Sequence, residues 1–108
     1  MSTVDDRVTA LLASPSVPAL IYALRHREVW PAGFEWDYNR CTKCAMGLAW
    51  RLWEEIGSFS AGAVAHAIKI PFSDAFPVFY GMEISSRGTI TPEMVADELE
   101  RLTAPAAP

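Results

Sequence analysis

Apolar residues in this chain recur mainly at intervals of three and four, the period of a helix rather than of a strand. Val4, Val8, Leu11 and Leu12 form the first such stripe and predict a helix over about Val4 to Ala13, with Thr3 as its cap and Asp6 reaching back. Ser14-Pro15-Ser16 interrupts the pattern. A second helix is expected over about Val17 to Arg27, capped by Ser16, with Pro18 tolerated in its first turn and Leu20, Ile21 and Leu24 on its buried side. The third, about Arg40 to Ile56, is the most apolar. Cys41, Ala45, Met46, Leu48, Ala49, Leu52, Trp53 and Ile56 fall on a broad arc, leaving Lys43, Gly47, Arg51, Glu54 and Glu55 on the polar remainder. A segment apolar around so much of its circumference belongs at the centre of a domain with the other helices around it. Arg51 and Glu55 are spaced to pair across one turn, and Gly57 is a natural stop.

Ser60 caps a fourth helix over about Ala61 to Ile68. A shorter turn at Ser73–Tyr80 is expected to face Phe76, Phe79 and Tyr80 inward, with Pro77 working against it and Gly81 ending it. The last helix has the clearest boundary: Thr91 as cap, Pro92 in the first position and Glu93 in the first turn. Val95, Leu99 and Leu102 make its stripe, and Asp97 is spaced to pair with Arg101. Two runs with strand-like composition, Ala67–Phe72 and Val78–Ile84, do not alternate cleanly, and each contains or follows a proline. The expectation is an all-α domain over residues 1–102, a compact bundle of about five helices around a central hydrophobic helix at about 40–56. A disordered Pro/Ala tail over 103–108 completes it.

Composition narrows the class. Of 108 residues, 51% are apolar and 20% charged, too greasy and too lightly charged for a disordered chain. No apolar run approaches the roughly 18–20 residues that span a bilayer, and the first residues lack the basic start and apolar stretch of a secretory signal. A net charge of −4 argues against a nucleic-acid partner and against an anionic membrane surface, both of which require clustered positive charge. Two cysteines are too few for a secreted disulfide scaffold, so cytoplasmic residence is expected.

Those two cysteines carry the sharpest chemical signal, in Arg40-Cys41-Thr42-Lys43-Cys44. At a helix start, backbone N–H groups and the flanking cations would favour a thiolate, the setting of a redox pair. A thioredoxin-like site also needs a preceding strand, and Pro31 to Asn39 supplies no such pattern. A metal reading uses Cys41, Cys44 and His66, with His26 as a fourth donor, to hold zinc or iron. His26 is flanked by Arg25 and Arg27, which disfavour a dication there. The plainer alternative treats Cys41 as a small buried residue and Cys44 as a boundary residue of a packed helix.

Four tryptophans are many for this length. Trp30 and Trp36 bracket a Pro-Gly loop, Trp50 falls near the polar border of the third helix, and Trp53 lies on its apolar arc. Trp30, Trp36, Tyr38 and Trp50 are thus candidates for a docking surface, since Trp and Tyr are enriched at binding hot spots. Filling gaps in a small core is the competing role. The sequence carries no Gly-rich phosphate loop, His-Glu-x-x-His or Gly-x-Ser-x-Gly, so no catalytic residue is assigned.

Cys44-Ala45-Met46-Gly47-Leu48-Ala49 resembles a helix found in a loose group of small, uncharacterised bacterial and phage proteins with a Cys-Ala-x-Gly-x-Ala pattern. The later parts of that pattern correspond to Ala63–Ile70, Pro77-Val78-Phe79-Tyr80-Gly81 and Ile90-Thr91-Pro92-Glu93, so the resemblance covers about Cys41 to Leu102. It implies a helical fold. It carries over no functional residue, and Cys41 is not part of it. Together these readings point to a small acidic helical module that binds a protein partner or a second copy of itself, with no cofactor. The alternative is a thiol-redox or metal (Zn or Fe) protein built on Cys41 and Cys44.

Overall fold

Serine, threonine and proline punctuate the chain so often that its helices stay short. The computed structural model describes residues 3–37, 43–80 and 90–103. Within them lie α1 (Thr3–Leu12), α2 (Val17–Arg25), α3 (Ala45–Leu52), α4 (Ala61–Ile68), α5 (Phe72–Tyr80) and α6 (Pro92–Thr103), with 3₁₀ turns at Arg27–Val29 and Glu54–Ile56. No strand occurs among the described residues, and the fold is all-α, a helical bundle. No helix among them is long and apolar enough to cross a membrane. Tyr38, Cys41, Gly81 and the 104–108 part of the expected tail lie outside the described residues. Thr103, expected to begin the tail, is the last residue of α6.

The caps follow the local chemistry. The Ser16 hydroxyl accepts the Ala19 amide at 3.1 Å, Ser60 accepts that of Ala63 at 3.1 Å, and Thr91 accepts that of Met94 at 3.2 Å. Each satisfies one of the N–H groups that a helix start leaves without an intrahelical partner. The first helix begins one residue earlier than expected, so Thr3 belongs to α1 itself. At the other end of α4, Lys69 adopts the left-handed conformation (φ 67, ψ 46) and its amide returns to Ala65 and His66. The Ile70 amide also reaches the Ala65 carbonyl at 3.1 Å, closing the helix. Glycine reaches that conformation without the clash a Cβ brings. Lys69→Gly is therefore expected to stabilise the protein by roughly 0.5–1 kcal/mol, read as a raised urea midpoint at unchanged slope. A lowered midpoint would mean that the lysine side chain makes a contact worth more than the backbone strain.

The most extensive helix pairing joins α2 to α6. Ala19, Leu20, Ala23 and Leu24 on one side, and Val95, Ala96 and Leu99 on the other, are all buried. Arg25 ties the edge of this pair, donating to Asp97 at 2.7 Å and to Glu100 at 3.3 Å. Hydrogen bonds to Glu100 and Asp97 hold its guanidinium above the ordinary arginine range. With both carboxylates well exposed, such a contact is worth no more than about 1 kcal/mol. Asp97 thus pairs across helices rather than with Arg101 as its spacing suggested, and Arg101 instead bonds Glu98.

The expected central helix is real but much shorter than 40–56. Ala45, Met46, Leu48 and Ala49 are enclosed as anticipated, and Gly47, expected on the polar side, is buried with them, yet α3 starts only after Cys44 and stops at Leu52. Trp53 turns the backbone out to φ −125, ψ 95, and a 3₁₀ turn follows, ended by Gly57 at φ 75. With the helix broken there, the Arg51–Glu55 pair does not form. Arg51 donates instead to the Ala32 carbonyl at 3.2 Å.

α5 also departs from expectation. It is a full α-helix with Pro77 inside it. Its first amides are served from outside, since those of Asp74 and Ala75 both reach the Pro71 carbonyl at 3.0 Å. Pro77 withholds a single N–H, the one that would bond Ser73. The inward residues are Ala75, Val78 and Phe79, which leaves Phe76 on the outer side.

Candidate functional site

The aromatic residues divide into braces and exposed rings. Trp30 and Trp36 lie together, their ring centres 6.4 Å apart, both half-buried against the core. The Trp30 indole N–H donates to the Ala23 carbonyl at 2.6 Å, and that of Trp36 to the Ile90 carbonyl at 2.8 Å. These bonds stitch the loop after α2 to α2 itself and to the residue leading into α6. Phe34 meets Trp30 edge-on at 5.2 Å, and Arg27 lies 5.0 Å over the Trp30 ring. Two of the four expected docking residues therefore hold the loop in place. Tyr38 lies outside the described residues.

Trp50 stands apart from this group. It is 38% exposed, as its position at the polar border of α3 implied, and its ring sits 5.2 Å from Phe59. Its indole N–H donates to the Gly57 carbonyl at 3.1 Å, which pins the ring to the turn that ends after Glu54–Ile56. Trp50, Pro31, Arg51, Glu54 and Gly57 line a shallow cleft of about 330 Å³.

Phe72 and Phe76 are 52% and 47% exposed, and their ring centres lie 5.7 Å apart on successive turns of α5. Sequence reasoning missed this pair because it started the helix at Ser73 and turned Phe76 inward. The signal for Phe76 was present in Ala75, Val78 and Phe79, whose i, i+3, i+4 spacing defines a buried stripe that leaves Phe76 to one side; Phe72 keeps the spacing of that stripe and is nonetheless exposed at the first position of the helix.

The sulfur-based alternative fares differently. Cys44 is the residue before α3, in extended conformation, and is only 1% exposed. It belongs to the core rather than to the boundary. His66 is exposed on α4, so the two expected ligands lie at different depths. Among the described residues no three His, Cys, Asp or Glu side chains come close enough to hold a metal ion. Cys41, on which both the zinc or iron and the redox readings depend, lies outside them.

His26 caps α2, with its ring stacked on Tyr22 at 3.8 Å and its Nδ1 donating to the Tyr22 carbonyl at 2.8 Å. It is half-buried rather than solvated, because the stacking holds it down. It borders a second cleft of about 480 Å³, which Leu11, Val17, Pro18 and Ile21 make largely apolar. No family model, curated protein or solved structure matches the chain.

Proposed function

We propose that the chain is a non-enzymatic helical module that binds protein, a basic partner or a second copy of itself, through exposed aromatic side chains. The observation supporting this reading is the Phe72–Phe76 pair, two large rings left half in water along the first turns of α5 while Ala75, Val78 and Phe79 are buried. Contiguous exposed apolar side chains of this size are the usual mark of a contact surface. An acidic chain, at −4, selects basic surfaces by complementarity. A cytoplasmic setting belongs to the same proposal.

Light scattering across a wide concentration range, together with affinity measurement on any captured protein, tests it. Replacing Phe72 and Phe76 together by serine is expected to weaken association by roughly tenfold or more while lowering the melting temperature by only several degrees, so that the variant is still folded at the temperature of the measurement. A wild-type chain that stays monomeric and captures nothing dependent on these rings would remove the reading.

A further inference from the structure

The helix pair α4–α5 differs from the rest of the chain in charge and in shape. Residues 61–80 hold Lys69 and Asp74 as their only formal charges at neutral pH, so the whole net charge of −4 is carried elsewhere. Gly62, His66, Phe72, Ser73, Phe76 and Pro77 are exposed, and none of them adds to the charge. A basic partner gains little from these helices, because attraction needs an excess of anions where the two chains touch. Two acidic copies, by contrast, can meet through them without bringing their excess charge together.

Gly62 supplies the shape. It lies inside α4, where glycine weakens a helix relative to alanine. The fold gives no reason for it. Its φ is not positive, and a Cβ built there would meet only the Phe72 ring, at an ordinary contact distance of 4.0 Å. The missing side chain leaves a furrow directly beside Phe72, whose ring lies 5.7 Å from that of Phe76. Bare helix backbone of this kind lets another surface approach closely. A ridge and a furrow side by side are self-complementary about a two-fold axis, since each ridge then fills the other copy's furrow.

We propose, resting on the protein-binding reading above, that the partner on this face is a second copy of the chain, with the Phe72 and Phe76 rings of each copy packed along the Gly62 furrow of the other.

Sedimentation equilibrium of the full chain across a wide concentration range tests it. A monomer–dimer equilibrium is expected, weakened by roughly tenfold or more in Gly62→Gln. Glutamine favours a helix over glycine and its Cβ has room, so the melting temperature of that variant, taken on dilute monomer, is expected to hold or rise. Raising the salt from about 0.05 to about 0.5 M is expected to leave the dimer unchanged or to tighten it, whereas a complex held by opposite charges would loosen. A chain that stays monomeric, a dimer indifferent to Gly62→Gln, or one that salt loosens would each overturn the proposal. The outcomes separate from those of the phenylalanine test. A monomer that still captures a basic protein through Phe72 and Phe76 rejects self-pairing alone, whereas a chain that neither pairs nor captures any protein rejects the wider reading with it.

Discussion

Phe79→Ala is expected to cost about 3–5 kcal/mol of stability, while Phe76→Ala, three residues earlier on the same helix, costs about 1 kcal/mol or less. The difference comes from packing. Phe79 is 1% exposed and is the largest of the fully buried side chains, set in the core with Val78 and Ala75. Removing its ring leaves a void that the surrounding short helices fill only in part, so the lost transfer energy and the cavity cost add. Phe76 is 47% exposed and its described ring contact is with Phe72. Its truncation exposes little that was dry. Since small domains carry only about 5–15 kcal/mol in total, the Phe79 variant should be partly unfolded at modest urea and the Phe76 variant should not. Equal shifts in urea midpoint for the two would show that α5 is rotated from the orientation described.

Trp53 carries the second large effect, and its two halves separate. It is 3% exposed, and its indole N–H donates to the Leu12 carbonyl at 2.9 Å, joining the end of α3 to the end of α1 across 41 residues of sequence. Trp53→Ala removes both the ring and the bond and is expected to cost about 3–5 kcal/mol. Trp53→Phe keeps most of the apolar volume but strands the carbonyl at the end of α1, for an expected loss of about 1–3 kcal/mol. Chemical denaturation of both variants measures the two components. A phenylalanine variant as unstable as the alanine one would assign the whole effect to the hydrogen bond. One as stable as the wild type would show that the Leu12 carbonyl finds water.

What the sequence made legible was what depends on neighbours. Ser16, Ser60 and Thr91 announce their helices because a hydroxyl three residues from an amide needs nothing else to make its bond. The all-α class followed from the same local rules. The errors fall where a distant contact outbids a near one. The apolar arc continues from Leu52 into Trp53 and Ile56, and the break there is accompanied by the reach of the Trp53 indole to the distant Leu12 carbonyl. Arg51 prefers the Ala32 carbonyl to Glu55, and Asp97 prefers Arg25 to Arg101. The candidate surface suffered similarly. Trp30 and Trp36 have the composition of binding residues, but carbonyls brought in by the fold, those of Ala23 and Ile90, turn them into struts. Among the described candidates, Trp50 kept the exposure its position on the helix suggested.

The pairing of α2 with α6 has a consequence for biosynthesis. The two helices that share the broadest contact lie far apart along the polypeptide, with Arg25 and Asp97 separated by 72 residues. As the nascent chain leaves the ribosome, Leu20 and Leu24 emerge long before Val95 and Leu99 exist to cover them. Helices as short as α2 do not persist alone in water. The apolar side of the early segment therefore stays uncovered by its main neighbour until the late one arrives.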